Sequence, residues 1–241
     1  LALAGLRPDM EFVYKPAQMF EERSQGPFHT VHEGVGVMSR FRIESTSALS
    51  LFLDRDDPSD YHQRLCLHTT ILVPPQESDD DDDDDDDDAS AQETTPKKLH
   101  FLTTHLSLSE RARWKTLEQI GEYIKGLEGA VILTGDFNNP IGSNAHALDP
   151  TKILAKAGMR DAFLEAGYGG PGQRGLTFPS WGPTKRIDAV YTRGVAVSEF
   201  ELLGSKSVEC SPGLPSAGEC CNRYNGLFAS DHLFPVAHVS F

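Results

Sequence analysis

Short apolar runs separated by turn-forming residues dominate the hydrophobic pattern of the chain. The clearest are residues 65–73, 99–106 and 130–133, which have the length and composition of buried strands. The first two should pair as a hairpin. Further strands are predicted at residues 10–16, 34–40, 48–53, 200–203 and 233–241, and after Arg186. The polar segment 19–32, which contains Gly26-Pro27, is predicted to be a loop.

One long segment in the middle of the chain has helical periodicity. Its apolar side chains recur at three- and four-residue spacing, which is typical of an amphipathic helix packed on a sheet. They are Trp114, Leu117, Ile120, Ile124 and Leu127. Ser107 fits the N-cap of a capping box in which Glu110 reaches back. Gly126 or Gly129 should end this helix, and a second helix is predicted over residues 149–158.

Composition and charge indicate one globular domain with an acidic insert. The chain has 241 residues, 39% of them hydrophobic, and we expect a single domain over residues 1–241. Its formal charge is −14, but residues 79–88 are aspartates that carry ten of those charges and leave −4 for the remainder. We expect segment 74–98 to be a disordered acidic loop, since an aspartate homopolymer lacks the glycine and spaced ligands of a calcium loop. A mildly acidic body argues against a protein that binds long nucleic acid mainly through its charge.

The four cysteines leave the cellular compartment open. Cys66 lies in an apolar run and is expected to be a buried thiol. Cys210 and Cys220 share a loop rich in glycine, proline and serine, where the sequence is compatible with a disulfide and with two reduced thiols. No run of eighteen apolar residues is present, so no transmembrane helix is predicted.

The best candidate for chemistry directly follows the apolar run 130–133. The chain breaks at Gly135 and presents Asp136 and Asn138, which point the same way if the backbone is extended. A carboxylate and an amide at the rim of a sheet suit the binding of a water molecule or of a metal-bound phosphate. The alternative is an ordinary Asp/Asn turn closed by Pro140.

Three further polar clusters stand at predicted strand ends. In chain order the four clusters are Thr104-His105-Leu106, Gly135-Asp136-Phe137-Asn138, Arg186-Ile187-Asp188 and Ser230-Asp231-His232. Together they resemble the endonuclease/exonuclease/phosphatase superfamily, which includes deoxyribonucleases, abasic-site endonucleases, neutral sphingomyelinases and inositol polyphosphate 5-phosphatases. Residues 34–40 and 160–163 resemble two more of its segments. The resemblance implies an α/β fold, a four-layered α/β sandwich of two facing mixed sheets flanked by helices.

The resemblance also implies roles for the clustered polar residues. Asp136 would activate the attacking water, and Asn138 would orient that water or a phosphate oxygen. His232 would donate to the phosphate or act as acid or base, while Asp188 would accept from its second ring nitrogen and fix its tautomer. For residues 186–188 a structural salt bridge is the alternative.

Three other residues would surround this centre. By the same resemblance, His105 would contact the scissile phosphate, Asp231 would approach the metal, and Arg113 would hold the loops of the site or bind substrate. Considered alone, His105 would be a surface or capping histidine and Arg113 a residue of the helix surface. Trp181 would either line a substrate pocket or pack in the core.

The principal metal ligand of the superfamily is missing from this sequence. In the superfamily that ligand is a glutamate on a strand, and a helix follows the strand. The start of this chain, at Leu1, resembles that helix. We therefore expect a chain that is incomplete at its N-terminus and lacks the first strands of the fold. The implied cofactor is Mg²⁺, with Mn²⁺ as the alternative.

The predicted function is a metal-dependent phosphoesterase that hydrolyses a phosphodiester or phosphomonoester by in-line attack of water. Its partner would be a phosphate-ester substrate: a small molecule, a lipid headgroup or a nucleic acid. A basic rim for the last is predicted from Arg42, Arg64, Lys185, Arg186, Arg193 and Arg223. We expect a monomer. The alternatives are a non-catalytic binding or scaffold module on the same fold, and a fragment that is inactive for want of the glutamate.

Overall fold

Six strands form one mixed sheet at the centre of the protein. The computed structural model describes residues 9–22, 29–75, 95–142, 148–205 and 230–241. The strands of the central sheet are β3 (Ile43–Ser50), β4 (Leu65–Val73), β5 (Lys97–His105), β6 (Ala130–Asp136), β7 (Arg160–Asp161) and β8 (Asp188–Arg193). They lie in the order β3-β4-β5-β6-β8-β7, and all neighbours are antiparallel except β5 and β6. The predicted β4–β5 hairpin pairing is confirmed.

Two antiparallel strand pairs and three helices complete the described residues. One pair is β1 (Glu11–Glu22) with β2 (His29–Ser39), and the other is β9 (Ala196–Leu203) with β10 (Phe234–Ser240). The helices are α1 (Glu110–Lys125), α2 (Pro150–Leu154), which a 3₁₀ turn at Ala155–Ala157 continues, and α3 (Ala162–Glu165). Within the described ranges, no helix is both long and apolar enough to span a bilayer.

Helix α1 covers one face of the central sheet, as its periodicity predicts. Its buried side chains include Leu117, Ile120 and Ile124, which join the largest apolar cluster of the core. Trp114 does not follow the pattern, because it is 41% exposed. The burial of a helix face against the sheet contributes about 25 cal/mol per Å² of apolar surface removed from water. Gly126 ends the helix, as predicted.

The predicted capping box is wrong by two residues. The N-cap is Ser109, whose Oγ accepts from the backbone N–H of Ala112 at 3.4 Å. Ser107 is occupied elsewhere: its Oγ accepts from the N–H of Ser109 at 2.9 Å and donates to the Asp60 carboxylate at 2.5 Å. Glu110 therefore lies in the first turn of the helix, where a negative charge is favourable.

The predicted loop at residues 19–32 is wrong at both ends, and its middle, residues 23–28, lies outside the described residues. β1 continues to Glu22 and β2 begins at His29, with Met19 paired to His32. The side chains described along β1 are exposed or half-buried, so the strand carries little of the apolar alternation that marks a buried one. Its register shifts between Pro16 and Gln18, which fits a proline that cannot donate to the ladder.

The outcomes of four further predictions concern one strand, one helix, the cysteines and the acidic insert. The strand expected at residues 48–53 is β3, which lies earlier, at Ile43–Ser50. The second helix ends at Gly158 in the left-handed conformation, as predicted. Cys66 is a buried thiol, and burial raises its pKa to about 12. Residues 76–94 of the acidic insert lie outside the described residues, as do Cys210 and Cys220, for which the sequence is compatible with a disulfide and with two reduced thiols.

Candidate active site

Three strand ends bring predicted site residues together. β5 and β6 are parallel in a register that pairs His105 with Asp136, and β6 and β8 are antiparallel in a register that pairs Asp136 with Asp188. Side chains at paired positions of adjacent strands lie on the same face of a sheet. The sheet therefore arranges His105, Asp136 and Asp188 in one row.

This row depends on a close approach between β5 and β6. Gly135 has a φ of +151°, and a Cβ built on it would lie 2.0 Å from the carbonyl oxygen of Thr104. Only glycine fits a backbone contact of this kind. Gly135 of the predicted cluster thus lets the two strands meet next to His105 and Asp136.

His232 reaches the row from the segment that precedes β10. The segment is held by backbone hydrogen bonds from Ser180 N–H to the Asp231 carbonyl at 2.8 Å and from Leu233 N–H to the Thr177 carbonyl at 2.7 Å. Nδ1 of His232 lies 2.9 Å from Oδ2 of Asp188. The predicted pair of a carboxylate and an imidazole is therefore present in the structure.

Asp136 lies at the centre of the site. Its Oδ1 accepts from the backbone N–H of Asn138 at 2.7 Å, and its Oδ2 lies 3.5 Å from Nε2 of His105 and 3.9 Å from Nε2 of His232. Burial raises the pKa of this carboxyl to about 6, against the opposing N–H of Asn138 and with the help of the Asp188 charge.

Asn138 is fixed by the turn that follows β6. It has a positive φ of 48°, which asparagine tolerates better than most residues, and its Nδ2 donates to the Leu106 carbonyl at 2.8 Å. An amide has two N–H donors and an acceptor oxygen. One N–H and the oxygen therefore remain for a water molecule or a phosphate.

The charge state of His232 differs from that of His105. Burial alone would lower the pKa of His232, but the hydrogen bond and the charge of Asp188, with the charges of Asp136 and Asp231, raise it. Burial, followed by the charge of Arg64, lowers the pKa of His105 to about 4. At neutral pH His105 is therefore neutral. The acidic neighbours of His232 instead favour its charged form.

His105 also makes a polar contact that was not predicted from the sequence. Nη1 of Arg64 lies 3.3 Å from Nδ1 of His105 and donates to Oε1 of Glu33 at 2.7 Å. Because a guanidinium has no acceptor, Nδ1 of His105 accepts, and the ring hydrogen is on Nε2, the nitrogen that faces Asp136. The sequence contained no signal for this contact, since Glu33 lies in β2, outside the central sheet.

An open cavity of about 950 Å³ lies beside the site, and it is lined by His105, Asp136, Asn138, Asp188, His232 and Arg64. The other two predicted residues, Arg113 and Asp231, also line it. Nη1 of Arg113 donates to the carbonyls of Ser107 at 3.2 Å and Leu108 at 2.5 Å, so this arginine holds the loop before α1. Trp181 is exposed, which rules out core packing, and it is not among the described residues that line the cavity.

The predicted basic rim is mostly wrong. Of its six members, only Arg64 and Lys185 line the cavity within the described part of the chain. Arg193 donates to three backbone carbonyls and has a structural role. Arg42 is exposed away from the cavity, and Arg223 lies outside the described residues.

Arg186 and Asp188 are two residues apart but have different partners. Its guanidinium forms two hydrogen bonds to the Asp161 carboxylate, at 2.8 and 2.6 Å, and lies 4.5 Å from the centre of the Phe163 ring. Its side chain is 5% exposed and that of Asp161 1% exposed. The structural salt bridge considered for residues 186–188 thus exists at Arg186, while Asp188 lines the cavity and lies against His232.

Three groups at the centre could share a metal ion. Donor atoms of Asp136, Asp188 and His232 all lie within 4.8 Å of one another. Asp231, the residue predicted to approach the metal, lies on the cavity wall outside this set.

Comparison with known proteins identifies the family. Residues 2–232 match the family model described as the Endonuclease/Exonuclease/phosphatase family. The chain belongs to this family. Family membership supports a hydrolase of phosphate esters, which is the coarser part of the predicted function. A comparison with curated proteins finds no match.

Solved structures of the family share this fold. A mannosyl-6-phosphatase from Bacteroides thetaiotaomicron is 17% identical, with a TM-score of 0.65 over 100% of this chain and 80% of its own. A humanised TDP2 from D. rerio is 17% identical, with a TM-score of 0.54 over 100% and 89%. The catalytic domain of human nocturnin is 14% identical, with a TM-score of 0.56 over 99% and 75%. These likenesses confirm the predicted deoxyribonuclease-like α/β sandwich.

Proposed function

We propose that this protein is a metal-dependent phosphoesterase whose active site is built from Asp136, Asn138, Asp188, His232 and His105. The observation that carries the proposal is the group of donor atoms of Asp136, Asp188 and His232 within 4.8 Å, on the wall of a cavity of about 950 Å³. A cluster of interacting titratable groups in a cleft is a common mark of a catalytic site.

Asp136 is the proposed acceptor for the proton of the attacking water. Its pKa of about 6 is close to neutral pH, which favours a general base that is ionised yet can take up a proton. The free N–H and oxygen of Asn138 lie in the same turn and would orient that water. Asp136 and Asn138 thus divide the activation of water between a charged and a neutral group.

Both histidines are proposed to act on the phosphate, His232 in its charged form and His105 in its neutral form. His232, held by Asp188, would stabilise the charge that develops on the phosphate oxygens in the transition state or protonate the leaving oxygen. His105 carries its hydrogen on Nε2 and would donate to a phosphate oxygen while remaining neutral. This division fits a site that binds a dianionic or monoanionic ester without losing the base.

The donor set suits a magnesium ion. Mg²⁺ prefers oxygen ligands, takes one or two protein carboxylates and leaves the remaining positions to water and phosphate. Asp231, on the cavity wall, is the carboxylate proposed to hold it, while Asp136 stays with the water and Asp188 with His232. When bound, the cation would neutralise phosphate oxygens; Mn²⁺ is the alternative with similar ligand preferences.

The test is hydrolysis by the purified protein with Mg²⁺, Mn²⁺ or EDTA. The panel contains an aryl phosphodiester, an aryl phosphomonoester, a hexose 6-phosphate, an inositol phosphate, sphingomyelin and plasmid DNA. We expect turnover of at least one ester that EDTA abolishes and Mg²⁺ restores. Asp136→Asn and His232→Ala should each reduce kcat by about 10²- to 10⁴-fold.

Two results would favour the alternatives. A folded protein that binds Mg²⁺ but hydrolyses nothing, tested alone and joined to an N-terminal segment that carries the missing glutamate, would indicate a binding or scaffold module. Turnover that appears only with that segment would indicate a fragment that is inactive for want of the glutamate. Equal activity of Asp136→Asn and the unaltered protein would contradict the proposed site.

A further inference from the structure

We propose that Arg64 is a substrate-binding residue that holds a phosphate oxygen next to His105; this inference rests on the proposed function. Arg64 precedes β4 and lines the main cavity, together with His105 and Asp136. Its side chain is only 10% exposed. A largely buried cation on the wall of a phosphoesterase cavity is a strong candidate for an anion ligand.

The hydrogen bonds of Arg64 hold one side of its guanidinium. Within the described residues, its hydrogen-bond contacts run through Nη1, to Oε1 of Glu33 and to Nδ1 of His105. Its Nε is buried with no hydrogen-bond partner in the same part of the chain. The side of the fork formed by Nε and Nη2 is therefore left for another acceptor. A phosphate matches it, because two of its oxygens can accept two parallel N–H groups.

Glu33 is placed to orient the guanidinium. Its other oxygen, Oε2, accepts from Nε2 of Gln18 at 2.8 Å and lies 3.3 Å from Nδ1 of His62. Gln18 and Glu33 belong to the β1–β2 pair, and His62 belongs to the loop before β4. With Oε2 occupied by these residues, Oε1 is aimed at Arg64. The β1–β2 pair thus fixes a cation of the cavity, although it contributes no strand to the central sheet.

A purely structural ion pair is the competing explanation. It would account for the contact between Glu33 and Arg64, but it would leave the buried Nε–H without a partner, at a cost in free energy. It also gives no role to the position of Arg64 on the cavity wall, 3.3 Å from His105. An arriving phosphate oxygen would satisfy the unpaired donor.

The experiment measures phosphate binding separately from turnover. Binding of inorganic phosphate by calorimetry in the presence of Mg²⁺ is compared with kcat and KM for the best ester of the panel. The variants are Arg64→Gln, Arg64→Lys and Glu33→Gln. The matched control is Arg160→Gln, which removes an exposed arginine whose Nε is paired to Glu165 at 2.7 Å away from the cavity.

We expect Arg64→Gln to raise the Kd for phosphate and the KM by about 10- to 100-fold, the range of a lost charged hydrogen bond. Arg64→Lys should recover part of the loss, because it keeps the charge but not the fork. Glu33→Gln should have a smaller effect of the same sign, and Arg160→Gln none. If Arg64→Gln does not fold, the lysine variant carries the comparison.

Two outcomes would overturn the inference. One is a lower Tm for the Arg64 variants with unchanged Kd and KM, which would identify a structural ion pair. The other is an unaltered protein that does not bind phosphate. If the protein binds phosphate through Arg64 but hydrolyses no ester, the proposed function fails while the inference about Arg64 stands. If it hydrolyses an ester and Arg64→Gln changes neither constant, only the inference fails.

Discussion

Oδ2 of Asp188 lies 2.9 Å from Nδ1 of His232, although the two residues are 44 positions apart. Asp188 is the first residue of β8, and the N–H groups of Ile187 and Asp188 both point at Oγ of Thr177 at 3.2 Å. The backbone that presents the carboxylate is therefore fixed by the same loop that binds the His232 segment. The pair is assembled by rigid elements and does not depend on flexible side chains finding each other.

Replacing Asp188 with Asn should reduce catalysis more than binding. The amide keeps the shape of the carboxylate but loses its charge, so it holds the imidazole less firmly and no longer favours its charged form. We expect kcat to fall by about 10²- to 10⁴-fold, with KM changed much less. Asp56→Asn, at an exposed aspartate outside the cavity, is the control. Unchanged kcat in Asp188→Asn would refute the role of this pair.

Gly135→Ala should damage both the fold and the site. Its Cβ would lie 2.0 Å from the Thr104 carbonyl oxygen, at a positive φ that L-residues avoid. We expect a loss of about 2–4 kcal/mol in the free energy of unfolding, from the strained conformation and the displaced strands. Gly129→Ala, also at positive φ but with nothing within 4 Å of the added Cβ, should lose only about 1 kcal/mol. Urea unfolding of both variants checks the difference, and equal losses would show that the strand contact is unimportant.

Arg186→Met should destabilise the protein without acting on the chemistry directly. It would leave the Asp161 carboxylate buried and unpaired, which typically costs about 3–5 kcal/mol. Asp161 also caps α3 by accepting from the Phe163 N–H at 3.1 Å, so this helix should loosen as well. Arg160→Gln removes an exposed ion pair and should cost less than about 1 kcal/mol. A change within 1 kcal/mol for Arg186→Met, measured by urea unfolding, would contradict a structural role.

The centre of the site could be predicted because strand ends are visible in a sequence. The apolar run before Asp136 stops abruptly, and the register of β5, β6 and β8 then places His105, Asp136 and Asp188 side by side. The pairing of Asp188 with His232 follows from the family resemblance and is found in the structure.

Other features could not be predicted because nothing local encodes them. β1 and β2 have few buried side chains, so their pattern resembles that of a polar loop. Ser107 and Ser109 are equally good N-caps in the sequence, and only the distant carboxylate of Asp60 decides between them. Arg186 and Arg64 are two arginines near strands; the partners that separate them, Asp161 and Glu33, lie 25 and 31 residues away.

A neutral histidine relay beneath α1 should make stability depend on pH. Nε2 of His68 lies 2.9 Å from Nδ1 of His100, and Nδ1 of His68 lies 2.8 Å from the hydroxyl of Tyr123. His100 also bonds the backbone of Glu128, so one direction of donation satisfies every group while both rings are neutral. A second proton on His100 would place its Nδ1–H against the Nε2–H of His68, and the charges of Lys98 and Arg193 also disfavour a positive His100.

The sign of the effect follows from the pKa values. Burial, and then the neighbouring His100, lower the pKa of His68 to about 4, below the ordinary value of about 6.5 in the unfolded chain. Between these values the unfolded state binds more protons, so stability is full above pH 6.5 and is lost as the pH falls towards 4. The loss is on the order of 3 kcal/mol.

The measurement is the free energy of unfolding in urea at pH 7.5 and pH 5, for the unaltered protein, for His68→Gln and for His238→Gln. His105 has a lowered pKa as well and contributes in the same direction, so the difference between proteins is what isolates His68. We expect His68→Gln to be less stable at pH 7.5, because its link to Tyr123 is lost, but to lose less on acidification. His238→Gln, at an exposed histidine, should keep the full pH dependence. Equal slopes for His68→Gln and the unaltered protein would mean that the relay does not set the acid stability, and that the pH response comes from the site.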